Sequence, residues 1–298
     1  MARRAVLFVN NLKKNAAETA SQIKTELEKS GYEAEIFSFN GNTDHPSWTS
    51  ADFSGGKKID IAFSLGGDGT VLFASRCLAP LGVPILSVNL GTLGFIAGVG
   101  INDWQDIFYK WDSGKLNPSR RCMLEVTAER DSKIVMKNIS LNDAVISASG
   151  IAKLIKLDVS INERNAAQSL AYDVSLGSFR CDGLIISTPT GSTAYSMAAG
   201  GPILDPEMEA VILSPICPFA LSNRPFVLPS RDALIITVAQ QQRSGVLLTI
   251  DGQDIFNLEC GDKIIIKQAP NPALLIFGGK SAYFSALRNK LFWSGDNS

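Results

Sequence analysis

The chain has 298 residues, 45% hydrophobic and 19% charged, with a formal net charge of −1; this suits two medium domains and excludes disorder and coiled coil. Near-neutrality without a long Lys/Arg run argues against a surface that holds nucleic acid by neutralising phosphates. The apolar run Ala5 to Val9 behind Arg3-Arg4 is too short for an export segment, and no run approaches the ~20 residues that span a bilayer, so a soluble, cytoplasmic protein is expected.

In chain order, Ala5 to Val9 reads as a strand, and Ala16 to Ser30 as a helix with Ala16, Ala20, Ile23 and Leu27 on one face and Gly31 as its stop. Strand-like Ala34 to Phe39, a polar loop through Gly56 and apolar Ile59 to Leu65 follow. Alternating strands and helices predict a parallel sheet. After Arg120-Arg121 the texture changes to closely spaced β-branched runs: Met123 to Ala128, Ala144 to Ser147, Leu157 to Ile161, Gly183 to Ser187, Ala233 to Val238, Val246 to Ile250 and Lys263 to Lys267. These predict a mostly antiparallel β domain. The tail from Ser281 to Trp293 turns helical, with Phe284, Leu287 and Leu291 on one face.

The single histidine, His45, lies in the polar stretch Thr43 to Ser47 and reads as an ordinary loop residue, so acid/base work falls to a carboxylate. The cysteines Cys77, Cys122, Cys181, Cys217 and Cys260 are widely spaced, form no Cys-x-x-Cys pair and read as free thiols of a reducing cytosol.

Two clusters carry chemistry. The strand Ile59 to Leu65 runs into Gly66-Gly67-Asp68-Gly69-Thr70 and then the helix Val71 to Leu78. Glycines let a backbone approach phosphate closely, and free N–H groups at a helix start favour an anion. The same pentapeptide also reads as a tight turn capped by Asp68 or Thr70. The second cluster, Thr188 to Ser196, follows a strand and opens a short helix ended by Gly200-Gly201-Pro202. Its hydroxyls suit a sugar, an amide or a phosphate. Asn142-Asp143 and Asp182-Gly183 stand at predicted strand starts, where a carboxylate suits paired ribose hydroxyls. Taken singly, each reads as a turn residue, as does Asp251 in Asp251-Gly252-Gln253.

In combination these residues resemble the NAD kinase family. Its Gly-Gly-Asp-Gly-Thr motif stands at Gly66 to Thr70, its Asn-Glu/Asp motif at Asn142-Asp143, and its long signature at Asp182 to Tyr195 with Gly200-Gly201-Pro202 behind it. Asn89 to Phe95 resembles the segment between the first two motifs, and Phe284 to Trp293 the C-terminal helix. The first motif is shared with lipid kinases, whereas the hydroxyl-rich one is far more specific.

The resemblance implies an α/β N-terminal domain with a parallel Rossmann-like sheet over residues 1–121, joined by a C-terminal helix at about 281–298, and a β-rich, sandwich-like NAD-binding domain over 122–280, with the active site between them. It implies that Asp68 takes the proton from the 2′-hydroxyl of the adenosine ribose of NAD while that oxygen attacks the γ-phosphate of ATP, giving NADP. Gly66, Gly67 and Thr70 would meet phosphate. NAD would contact Gly69, Asn142, Asp143, Asp182, Thr193, Ala194, Tyr195 and Ser196, with Lys153, Arg180, Thr190 and Gln253 as further carry-overs and Phe95 packed against the adenosine half. A divalent ion, Mg or Mn, would come with ATP, held mainly by its phosphates, and the enzyme would be a homodimer or homotetramer.

The sequence departs from the family pattern at Phe219, where many relatives carry His, and in having Asp143 for the commoner Glu, one methylene shorter. Two alternatives stand beside this reading: a diacylglycerol or sphingoid-type lipid kinase, which has no use for the Thr188 to Tyr195 cluster, and a non-catalytic NAD-binding regulator.

Overall fold

The computed structural model describes residues 3–41, 52–53, 58–91, 94–96, 98–150, 154–165, 170–220 and 222–291. His45, Thr92, Leu93, Lys153, Leu221 and Trp293 lie outside the described residues. The chain divides into two units, Met1–Arg120 together with Asn271–Ser298, and Arg121–Pro270. No helix among the described residues is long and apolar enough to cross a membrane.

In the first unit the chain pairs its strands in the order Tyr32–Phe39, Arg3–Asn10, Ile61–Gly66, Pro84–Asn89, Ala273–Ile276 and Ser119–Arg121, with the short Val99–Gly100 on Pro84–Asn89. The ladders joining the first five of these are parallel. The helix Asp68–Leu78 lies between two parallel neighbours, Ile61–Gly66 and Pro84–Asn89, so it is their crossover. Both faces of the sheet are covered, which is why Ile61–Gly66 is buried along its whole length and shows no alternation.

The helix Ala16–Lys29 packs through Ala16, Thr19, Ala20, Ile23 and Leu27. Full burial of Ile23 and of Leu27 contributes about 1.5–3 kcal/mol each. Gly31, at φ 80°, ends the helix in the left-handed conformation, with its N–H donating to Glu28 at 3.1 Å.

From Arg3–Asn10 the chain steps outward to Tyr32–Phe39 and then returns across to Ile61–Gly66 on the other side. This reversal is a topological switch point, where open α/β sheets leave a crevice at the carboxyl ends of their strands. Gly66 to Thr70 leaves the sheet at that end.

Two boundaries differ from the expectation. The return to the first unit comes at Asn271 rather than near 281, because Ala273–Ile276 adds a parallel strand beside Pro84–Asn89. The last helix is Gly279–Leu291, and it buries Tyr283, Ala286 and Leu287, leaving Phe284 exposed. The packing stripe is thus set by the i, i+3, i+4 spacing of those three residues.

The second unit contains two six-stranded sheets. One runs Leu170–Cys181, Ile155–Asn165, Ala233–Val238, Lys263–Gln268, Leu124–Arg130, Lys133–Ser140; the other runs Phe226–Pro229, Ala210–Ile216, Gly183–Ser187, Asp143–Ala148, Val246–Ile250, Asp254–Leu258. Every ladder within them is antiparallel. Their inner faces share one core, in which Leu124, Leu157, Ile236 and Ile264 meet Ile146, Leu184, Leu213 and Leu248, all without exposed surface. The unit is a β-sandwich.

Five strands of this unit have no counterpart among the runs expected from the sequence. Lys133–Ser140, Leu170–Cys181, Phe226–Pro229 and Asp254–Leu258 are edge strands. Lys133–Ser140 and Asp254–Leu258 carry polar residues that blur the hydrophobic pattern, and Phe226–Pro229 is short and closed by Pro229. Ala210–Ile216 is buried but contains Pro215, which argues against a central strand.

Candidate active site

The Gly66 to Thr70 loop is shaped by close packing. A Cβ on Gly66 would overlap the Thr70 side chain, so glycine is what allows buried Thr70 to fold back over the strand end. Gly67 is extended and caps the helix, Asp68 is its first residue, and the Thr70 N–H donates to the Gly67 carbonyl at 3.0 Å. Asp68 is half-buried. Its Oδ2 accepts from the Phe95 N–H at 3.0 Å and its Oδ1 from the Ile96 N–H at 3.2 Å. Two backbone donors thus fix the carboxylate at the carboxyl end of a central strand.

Phe95, expected to face adenosine, is half-buried, and the Lys290 ammonium lies 4.8 Å from its ring centre. Upstream, the Asn89 Oδ1 accepts from the Gly91 N–H at 2.7 Å and tightens the turn out of Pro84–Asn89.

In the second unit, Asn142, Asp143, Ala194 and Tyr195 come together around one cavity of about 340 Å³, with Thr249 and Asp251 completing its wall. Segments far apart in sequence meet here because Asp143–Ala148 lies between Gly183–Ser187 and Val246–Ile250 in the sheet. The loop after Gly183–Ser187 is tied to the Asn142 turn. The Thr188 hydroxyl donates to the Leu141 carbonyl at 2.5 Å, and the Thr188 N–H to the Asn142 carbonyl at 2.8 Å. Gly191 packs where a Cβ would overlap the Asn142 carbonyl.

The hydroxyls of this loop largely serve the loop itself. Ser192 donates to the Pro189 carbonyl at 2.6 Å and accepts from the Leu204 N–H at 3.1 Å. Ser196, expected to contact NAD, is fully buried and bonded to Ser214 at 3.0 Å. In this loop and the Asn142 turn, Asn142 Oδ1 and Thr190 Oγ1 are buried without a hydrogen-bond partner among the described residues. A buried acceptor or hydroxyl left unmatched is costly unless a ligand supplies the bond. Tyr195, 49% exposed, presents its ring at the cavity mouth.

Asp143 is buried, and burial, with the Asp251 carboxylate adding to it, pushes it up to about 7. Asp251 was read only as a hairpin turn residue. It does form that turn, between Val246–Ile250 and Asp254–Leu258, but its carboxylate also faces the cavity wall and binds the Asn142 turn. Aspartate in a hairpin gives no sequence signal of such a role.

Asp182, Thr190, Thr193 and Gln253 are not part of the cavity lining. Asp182 joins strands through its backbone, donating to Ile216 and accepting from Ala148, both at 3.0 Å. Arg180 lies instead along a separate groove of about 700 Å³ with Lys156, Asp158, Gln240 and Arg243. Its guanidinium lies 5.0 Å over the ring of Phe219, so the residue that departs from the family pattern gives Arg180 a cation–π seat. Among the described residues no group of three or more His, Cys, Asp or Glu side chains could hold a metal ion.

Comparison with known proteins agrees with this geometry. Residues 5–112 match the model of the ATP-NAD kinase N-terminal domain, and residues 141–277 that of the ATP-NAD kinase C-terminal domain. The NAD kinase of Treponema denticola is 41% identical over 294 residues, spanning 98% of each chain. The crystal structure of yeast NADH kinase complexed with NADH superimposes with a TM-score of 0.80 at 23% identity, covering 100% of this chain and 89% of that one. An NAD kinase from Archaeoglobus fulgidus in complex with ATP gives 0.72 at 24% identity, covering 97% and 98%. Both structural likenesses bear on the fold.

Proposed function

The chain belongs to the NAD kinase family and is a phosphotransferase with an alcohol acceptor; from that premise we propose that the acceptor is the 2′-hydroxyl of the adenosine ribose of NAD, with Asp68 as its general base. The 2′-oxygen attacks the γ-phosphorus of ATP, the new O–P bond forms as the bond to the β,γ-bridging oxygen breaks, and ADP leaves. The hydroxyl proton passes to Asp68. Phosphoryl transfer asks a protein mainly to align oxygens and offset charge. The observation that carries the assignment is the Asp68 carboxylate itself, fixed by two backbone N–H groups at a switch-point strand end.

In this reading Asn142, Asp143, Ala194 and Tyr195 hold NAD, with the unpartnered Asn142 Oδ1 supplying a polar contact. Gly66, Gly67 and Thr70 receive phosphate oxygens at the helix start. Gly69, Thr190, Thr193, Ser196, Asp182, Arg180, Lys153, Gln253 and Phe95 are proposed NAD contacts on the family resemblance. A divalent ion, Mg or Mn, accompanies ATP and offsets the charge of its phosphates. A cytoplasmic location and a homodimeric or homotetrameric state complete the proposal. Neither the lipid-kinase nor the regulator alternative is supported, since both matching domain models are those of ATP-NAD kinase.

Product analysis tests the reaction. Purified protein with NAD, ATP and Mg²⁺ is expected to give ADP and a dinucleotide whose phosphorus resonance couples to the 2′ position of the adenosine ribose. A phosphate at another position, or ATP hydrolysis without a phosphorylated dinucleotide, contradicts the assignment.

A further inference from the structure

Asp251 occupies the turn between Val246–Ile250 and Asp254–Leu258, a place where a carboxylate ordinarily faces water. Here it is 7% exposed, and its backbone is held at φ 51°, in the left-handed region. Burying a carboxylate is costly unless hydrogen bonds satisfy it. Its Oδ1 accepts from the Ser140 hydroxyl at 2.6 Å, the Asn142 N–H at 2.8 Å and the Asp143 N–H at 3.2 Å. Its Oδ2 accepts from the Leu141 N–H at 3.1 Å. The Asp251 N–H donates in turn to the Asp143 carbonyl at 3.0 Å.

Three successive backbone N–H groups converging on one anion form a nest. This nest is filled by the chain's own side chain. The segment it holds links Lys133–Ser140 in one sheet to Asp143–Ala148 in the other, so Leu141 and Asn142 lie between ladders. From this segment the Asn142 and Asp143 side chains reach the cavity.

We infer that Asp251 is a positioning residue: its carboxylate fixes the backbone of residues 141–143 so that Asn142 and Asp143 meet NAD in one set orientation. The inference rests on the reading that these two residues hold NAD. Asp251 acts through the turn. The Thr188 hydroxyl and N–H brace the same turn from the opposite side through the Leu141 and Asn142 carbonyls.

A purely structural role for Asp251 lowers stability and leaves the constants of the folded enzyme unchanged, whereas a positioning role raises the KM for NAD selectively. The full-length variants Asp251→Ala and Asp251→Asn are measured for kcat, for the KM of each substrate and for Tm, with Asn142→Ala alongside. Loss of a charge-assisted set of bonds predicts a rise of about tenfold in the KM for NAD in Asp251→Ala, with the KM for ATP unchanged. A smaller rise is expected in Asp251→Asn, which retains one acceptor oxygen. If Asp251→Ala does not fold, Asp251→Asn and Ser140→Ala carry the test with the same selectivity for NAD. An Asn142→Ala effect on the KM for NAD with none from the Asp251 variants, or an equal change for both substrates, overturns the inference. No effect from Asn142→Ala overturns the placement of NAD, and the inference with it.

Discussion

Gly94 lies against the carboxylate of Asp68 so closely that a Cβ at residue 94 would overlap it. The residues that follow, Phe95 and Ile96, donate the two N–H groups that orient the same carboxylate. Bare backbone at residue 94 is therefore what lets this segment approach the proposed base.

Gly94→Ala is expected to displace the carboxylate while leaving the sandwich unit untouched. A misplacement of about 1 Å at the reacting group can cost about 10²-fold in rate. Steady-state kinetics should show a fall in kcat of that order with NAD binding preserved. An unchanged kcat would mean that this contact does not position Asp68.

Asp143 gives a prediction in pH. Its folded value is raised to about 7 by burial and by Asp251, against an ordinary carboxylate value near 4. Between those values the native state binds more protons than the unfolded state, so this group's contribution to stability is fully present below about pH 4 and is lost as pH rises through about 7. Asp143→Asn removes the charge that must be buried. Thermal melts should find the variant more stable than wild type at pH 8, by up to a few kcal/mol, with the difference vanishing near pH 4. Equal stability of the two proteins at pH 8 would show that Asp143 is not strained by ionisation.

Gly191→Ala tests the brace behind the Asn142 turn. The added methyl meets the Asn142 carbonyl and the Ser187 hydroxyl, both in a closely packed place. Overpacking of this kind costs about 1–3 kcal/mol. Chemical denaturation should report a loss in that range, together with weaker NAD binding as the turn shifts. A variant with wild-type stability would mean that the loop is freer than its packing implies.

The first unit was legible in the sequence as far as Leu78, where its signals are local, whereas Pro84–Asn89 and the helix Trp104–Asp112 were not read. Ala16–Lys29 declares itself by helical spacing and by Gly31, and Gly66 to Thr70 by its place between an apolar strand and a helix. What the sequence could not supply was strand order, which makes the Asp68 loop a switch-point loop and inserts Ala273–Ile276 beside Pro84–Asn89. In the sandwich, central strands such as Val246–Ile250 and Lys263–Gln268 were legible and polar edges such as Lys133–Ser140 were not, because an edge strand buries too little to need a pattern.

At the candidate site, Asn142-Asp143 and Ala194-Tyr195 were visible as motifs, and the structure brings them to one cavity. Asp251 was not visible in this role, since its carboxylate partners stand more than 100 residues earlier in the chain. The Ser196 hydroxyl is the converse case. A hydroxyl in a hydroxyl-rich loop looks available until its buried partner, Ser214, is known.

The most direct test of the central claim is NADP formation from NAD, ATP and Mg²⁺ by wild type and Asp68→Asn in parallel, with circular dichroism to establish that both are folded. The account predicts NADP from wild type and a fall of about 10²- to 10⁴-fold in kcat for Asp68→Asn, the range set by loss of a general base. A folded Asp68→Asn enzyme with near-wild-type kcat would contradict it.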